Sequence, residues 1–152
     1  MTAQTMQFVE FSVGDTRIAM ESSHVVEVLP LVNWTAIDSA GDGIVGLMVY
    51  HGHPVRVLDL AIGLVGRPSR SSMNARILLV RRPESDGAME SQCLAIIAER
   101  VHGVQRRDPR AYRPFVGIES STVGLGEIFS DSNGIVRRLS LDGLMPHATM
   151  TP

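Results

Sequence analysis

The stretch Gln7-Phe-Val-Glu-Phe-Ser-Val-Gly-Asp-Thr-Arg-Ile-Ala-Met20 decides the fold class. Gln7, Val9, Phe11 and Val13 fall on one face of an extended segment and Phe8, Glu10 and Ser12 on the other, which is the two-residue period of a strand. Gly14-Asp15 suits a tight turn, and Arg17-Ile-Ala-Met20 returns, so the stretch predicts a β-hairpin. Outward from it, Ser22-Ser-His-Val-Val-Glu-Val28 allows one helical turn and then, through its β-branched residues, favours extended chain up to Pro30. Pro54-Val-Arg-Val-Leu58 and Ala75-Arg-Ile-Leu-Leu-Val80 read as strands separated by the polar connection Gly66-Arg-Pro-Ser-Arg-Ser-Ser72. Arg82-Pro-Glu-Ser-Asp-Gly87 is a second turn cluster, Gln92-Cys-Leu-Ala-Ile-Ile-Ala98 returns from it, and Gly134-Ile-Val-Arg-Arg-Leu139 is the last strand. Asp142-Gly-Leu-Met145 closes the pattern as a helical turn. No 3.6-residue apolar period lasts three turns, and strands recur about every ten residues, so the class is all-β, a barrel or a sandwich. A faint echo runs through the chain: hairpin 7 to 20 followed by Val25-Val-Glu-Val28 resembles hairpin 76 to 98 followed by Val101-His-Gly-Val104, which suggests two similar small barrels.

With 152 residues, the chain is long enough to bury roughly 70% of its unfolded surface in one ordinary core. One domain over residues 6 to 146 is expected, with a flexible amino terminus at 1 to 5 and a flexible tail at 147 to 152. No apolar run approaches the roughly 18 to 20 residues that span a bilayer. Met1-Thr-Ala-Gln-Thr-Met6 carries no positive residue and leads straight into a strand, unlike a signal peptide, so the cytoplasm is the expected compartment. The single cysteine, Cys93, sits in an apolar stretch and is expected to be a buried, inert thiol. The net charge of -2 supplies no overall field for nucleic acid or anionic lipid.

His51 and His53, two residues apart, would share a side of a strand and could share a metal, but no third ligand stands near in a recognised spacing. Gly124-Leu-Gly126 opens a dinucleotide-like pattern that lacks its third glycine and its helix, so a turn or a strand entry is the better reading. Arg106, Arg107, Arg110 and Arg113, with Tyr112 among them, form the densest basic cluster and read as a solvated loop or a patch facing an acidic partner. No serine lies in a nucleophile-elbow turn, and Asp59 and Glu99 each follow an apolar strand, where end caps or rim charges serve as well as acid-base groups. No catalytic residue, cofactor or metal site is predicted.

The stretch Gly43-Ile-Val-Gly-Leu-Met-Val-Tyr-His-Gly-His-Pro-Val-Arg-Val-Leu-Asp-Leu60 resembles the central signature of the CheW-like chemotaxis coupling proteins: a Gly-Leu strand, a glycine turn and a strand ending in Asp-Leu. Val25-Val-Glu27-Val28 stands where that family has Val-x-Glu-Val, Ile96-Ile-Ala-Glu-Arg-Val-His-Gly-Val104 resembles its apolar strand and Val-x-x-Val, and Gly134 to Asp142 resembles its closing strand. The resemblance spans residues 6 to 146. Two positions depart from the pattern: His51-Gly52 replaces the family's Arg-Gly, and Arg56 stands at its usual proline, with Pro54 two positions earlier. In the family that arginine is implicated in partner contacts or in pairing with the glutamate matched by Glu27, and histidine, with an unperturbed pKa of about 6.5, would make such a contact weaker and pH-sensitive.

The resemblance implies two five-stranded SH3-like barrels around a shared apolar core, with one or two short helices, and a receptor-binding groove between the barrels. It implies a non-catalytic adaptor between the cytoplasmic tip of a chemoreceptor and the regulatory domain of a CheA-type histidine kinase, without cofactor, nucleic acid or direct membrane insertion. Such an adaptor would sit in the cytoplasm, held at receptor arrays by protein contacts. On this basis Val25, Val26, Glu27, Val28, Val49, Tyr50 and His51 are expected at or beside the receptor groove, Glu99 and Arg100 at a kinase contact, and Asp59 in a structural role. The alternative is a sensory barrel that binds a small molecule in an enclosed cavity.

Overall fold

A computed structural model describes residues 4–38, 43–81, 93–114 and 124–144. The expected turn at Arg82 to Gly87, Gln92, Met145 and the tail at 147 to 152 lie outside them. The described strands are β1 (Met6–Val13), β2 (Thr16–Glu21), β3 (Val25–Pro30), β4 (Thr35–Ala36), β5 (Ile44–Tyr50), β6 (His53–Leu58), β7 (Arg76–Arg81), β8 (Cys93–Ala98), β9 (Arg100–Arg107), β10 (Arg113–Pro114), β11 (Glu127–Asp131) and β12 (Gly134–Arg138). Two short helices, α1 (Leu60–Val65) and α2 (Leu141–Leu144), and a 3-10 turn at Ser22–His24 complete the path to the site.

The strands form two sheets, ordered β10-β11-β12-β2-β1-β9 and β3-β7-β8-β6-β5-β4. Adding six to each label of the second series β4-β5-β6 gives β10-β11-β12 of the first, and the hairpins β1-β2 and β7-β8 correspond in the same way. The echo in the sequence is therefore a structural repeat, with an exchange: the first hairpin shares its sheet with β9 to β12, and the second shares its sheet with β3 to β6. Each barrel takes strands from both halves of the chain. Both sheets count six strands where five were expected, because the two-residue strands β4 and β10 extend each edge and are too short to leave a periodic signal.

Apolar side chains fill three layers. Phe8, Ala19, Tyr112 and Val136 lie inside the first barrel. Met48, Val55, Ile77, Leu79, Cys93 and Ile97 lie inside the second. Between the two sheets, Phe11, Ile18 and Met20 of the first meet Leu78, Val80, Leu94 and Ile96 of the second. Strands β7 and β8 thus bury both faces, Ile77 and Leu79 toward one layer and Leu78 and Val80 toward the other, which is why they read as unbroken apolar runs. At about 1.5–3 kcal/mol for each fully buried aliphatic side chain, these two-faced strands contribute to the cohesion between the barrels.

Two β-bulges repeat the echo residue for residue. The β3–β7 register steps from Val25↔Val80 to Glu27↔Leu79, leaving Val26 as the extra residue, and the β9–β1 register steps from Val101↔Phe11 to Gly103↔Glu10, leaving His102. An extra residue turns the strand over, so Val25 and Val101 pack on the shared core while Glu27 and Leu29 are re-aimed toward the second barrel.

Asp59, 3% exposed, caps α1: its Oδ1 accepts the Ala61 N–H at 3.0 Å, its Oδ2 accepts the Ser69 N–H at 2.8 Å, and Ser69 Oγ lies 2.6 Å from Oδ1. Gly66, at φ 73°, ends the helix in the left-handed conformation that glycine adopts without strain.

Candidate functional site

A groove of about 600 Å³ opens on the second barrel, where β4 stops after two residues and leaves the seam between β3 and β5 uncovered. Glu27 and Leu29 of β3 line one side, Val32 to Thr35 the end, and Leu47 to His51 the other side. All of these belong to one sheet and its connections, so this groove lies on the second barrel. Its rim is open to solvent, with Val49 72% exposed.

The hairpin β5-β6 shapes the groove's mouth. Tyr50 pairs with His53, so the loop is His51-Gly52 alone, and both residues have positive φ, 50° and 81°, as a type I′ turn requires. Gly52 takes this conformation freely, and histidine is among the few other residue types enriched there. The turn lays the His51 ring on that of Tyr50, with centroids 4.0 Å apart and planes 14° from parallel. Tyr50 reaches across the groove, its hydroxyl donating to Glu27 Oε1 at 2.6 Å. That hydrogen bond, with some desolvation, raises the Tyr50 pKa, so the phenol stays a neutral donor.

Of the seven residues expected at the groove, Glu27, Val49, Tyr50 and His51 line it. Val25 packs on the shared core, while Val26, at the bulge, and Val28 are exposed on β3 outside the lining. Leu29, Val32, Asn33, Trp34, Thr35, Leu47 and Met48 complete the lining and were not expected. The signal that could have marked Trp34 is its standing as the lone tryptophan, in a segment without periodicity.

The corresponding seam of the first barrel is filled by the chain itself. Asp131, like Tyr50, ends the strand before a two-residue turn, and its carboxylate receives Arg17 through two hydrogen bonds of 2.9 and 2.8 Å. The Arg17 guanidinium, with help from the Asn133 N–H and Arg107, holds Asp131 far below the usual carboxylate range. Arg107 donates to the buried Glu10 at 3.0 and 2.8 Å and lies 4.5 Å from the Phe129 ring centroid. Tyr112 is buried against Phe8 and Phe129, with centroids at 5.0 and 5.5 Å. Arg107 and Tyr112, read from sequence as part of a loop patch, are thus structural, whereas Arg110 is exposed and pairs with Asp108 at 3.0 Å.

Glu99, expected at a kinase contact, has its carboxylate engaged within the molecule. Its carboxylate accepts the Gly14 N–H at 2.6 Å, the Arg70 N–H at 2.6 Å and Arg67 Nη1 at 2.7 Å, and its side chain is 13% exposed. Arg67 and the two backbone donors hold its pKa down at about 2 against an ordinary 4.5. Arg100 is exposed on β9.

Among the described residues, no three His, Cys, Asp or Glu side chains are grouped so as to hold a metal ion, and no helix is long and apolar enough to cross a membrane.

Two interlocked β subdomains share one apolar core, and the sequence matches the CheW-like domain over residues 7–149: the chain belongs to that family. Among solved structures it is similar to the scaffolding protein TtCheW from Thermoanaerobacter tengcongensis, with 21% identity and a TM-score of 0.77 over 99% of this chain and 93% of that one. No curated protein matches the sequence.

Proposed function

We propose that this chain is a non-catalytic scaffold that couples the cytoplasmic tip of a methyl-accepting chemoreceptor to the regulatory domain of a CheA-type histidine kinase. The observation that carries this reading is membership of the CheW-like family across nearly the whole chain. The similar structure from Thermoanaerobacter tengcongensis, described as a scaffolding protein, supports it. In this reading the receptor engages the groove through Glu27, Val49, Tyr50 and His51, and Arg100 on the exposed face of β9 is a kinase contact. The chain stays on the cytoplasmic side of the membrane, held at receptor arrays by protein contacts.

The mechanism is a difference in binding. A receptor tip that changes shape with its own ligand presents the groove with two surfaces of unequal affinity, and the scaffold passes that difference to the kinase. Each tenfold in the ratio of affinities is about 1.4 kcal/mol available to shift the kinase equilibrium. Such a device needs an open, rigidly framed docking surface and no reactive group. The exposed rim of the groove favours a macromolecular partner over the enclosed cavity that a small-molecule sensor would need.

Capture of the purified protein by the cognate receptor tip and by the kinase regulatory domain tests the reading, with Tyr50→Ala and His51→Ala alongside. Both partners should retain the wild type, and either substitution should weaken the receptor arm alone. Retention of neither partner by folded protein rules out the coupling function.

A further inference from the structure

We infer that the groove on the second barrel receives a basic side chain, a guanidinium or ammonium, carried on an apolar segment of the partner protein; this rests on the adaptor reading of the groove and adds the chemistry of what enters it. Glu27 is the one acidic residue among the described lining residues, and no lysine or arginine stands among them. The bulge at Val26 turns Glu27 toward the groove, and the Tyr50 hydroxyl, 2.6 Å away, fixes the carboxylate with a neutral donor. A phenol orients the charge without cancelling it. The Trp34 ring and the Tyr50–His51 stack stand along the same groove, and a carboxylate beside aromatic faces attracts a cation by charge and by ring quadrupole together. Leu29, Val32 and Met48 supply apolar wall for the methylene stem of lysine or arginine, whose charged end then reaches Glu27. An acidic segment would meet like charge at the same point.

The first barrel holds a comparable set of groups, with its carboxylate on β1. There a carboxylate, an aromatic ring and a guanidinium all come from the chain: Arg107 sits 2.8 Å from Glu10 and 4.5 Å from the Phe129 centroid at the seam that corresponds to the groove. In the second barrel Leu31 packs on the core, and the described lining residues supply carboxylate and rings without a lysine or arginine. The partner supplies it.

Trp34 is the only tryptophan in the sequence, so its emission reports on the groove directly. The probes are the peptide acetyl-Leu-Arg-Leu-Leu-amide and the same peptide with citrulline, an uncharged isostere, in place of arginine. The arginine peptide should shift Trp34 emission saturably and bind on the order of tenfold more tightly than the citrulline peptide, the scale of one charge-assisted hydrogen bond. Glu27→Gln, at an exposed position that leaves the core untouched, should abolish that preference with an unchanged melting profile, and higher ionic strength should narrow it. Equal affinity for the two peptides, a preference that survives in Glu27→Gln, or no effect of either peptide on Trp34 overturns the inference. Receptor-tip capture measured in parallel separates the two claims. Capture without an arginine preference overturns the groove chemistry alone, and an arginine preference without capture supports that chemistry and removes the receptor.

Discussion

Replacing Glu99 by glutamine removes one negative charge where the β1–β2 turn, the segment after α1 and the start of β9 meet. Gly14, Arg67 and Arg70 lose a charged acceptor but keep a neutral one. The folded carboxyl titrates at about 2 and the unfolded one near 4.5, so the contribution of the charge is complete above about pH 4.5 and is lost as pH falls through about 2. Were the site sealed from water, the depression would correspond to about 3 kcal/mol; solvent at its edge screens this to about 1–2 kcal/mol. For a chain of this size, that lowers the melting temperature by about 2–8 °C near neutral pH. Thermal melts of wild type and Glu99→Gln in parallel, stepped from neutral pH into acid, provide the assay. The gap should hold steady to about pH 4.5 and then close, since protonated glutamate and glutamine offer the same neutral partner. No gap at neutral pH, or a gap that persists unchanged into strong acid, refutes the assignment of Glu99 as an internal clasp.

Arg107→Ala leaves Glu10, 4% exposed, with Arg17 at 3.6 Å, and uncovers Phe129; a loss of about 3 kcal/mol is expected, read as a lower denaturant midpoint at an unchanged slope. A β-carbon at Gly46 would overlap the Thr35 carbonyl oxygen and the Trp34 ring, so Gly46→Ala should cost about 1–3 kcal/mol and shift Trp34 emission. In His51→Asn the type I′ turn keeps a residue suited to positive φ, so stability should stay within about 0.5 kcal/mol of wild type. Loss of the Tyr50 stack should nonetheless weaken receptor-tip capture, and a variant that bound as well as wild type would remove His51 from the contact. Tyr50→Phe keeps the ring and deletes the hydrogen bond to Glu27, so a double-mutant cycle with Glu27→Gln should show coupling of about 0.5–1.5 kcal/mol in binding and none if the two side chains act separately.

The hairpins were legible because the chain writes them locally. Strand β1 alternates and turns at Gly14-Asp15, β3 follows one helical turn at Ser22–His24, and β8 and β12 begin and end within a residue of their expected limits. Strand β11 was read only as a turn or strand entry at Gly124-Leu-Gly126, and α1 was not read. The first has only five residues, and the second has six with a glycine inside; its signals are the caps, Asp59 before it and Gly66 after it. The exchange of strands between halves cannot be read from local pattern at all, since it depends on which edges pair, although the echo of Val25–Val28 in Val101–Val104 marked both bulges. The same limit applies to the site. Glu27, Tyr50 and His51 came from the family resemblance, but the placement of the groove on one barrel follows from β4 stopping after two residues, and the clasp at Glu99 joins groups 29 to 85 residues apart. Arg107 looked like a loop charge because its partner Glu10 lies 97 residues away.

The coupling claim is tested most directly by kinase autophosphorylation in membranes that carry the cognate receptor, measured with and without this chain and with its Tyr50→Ala variant. Receptor ligand should change the rate only when the wild-type chain is present, and Tyr50→Ala should lose most of that control while still binding the kinase regulatory domain. A rate that responds to receptor ligand equally with and without the folded chain, or does not respond in either case although receptor and kinase are each active, contradicts the account.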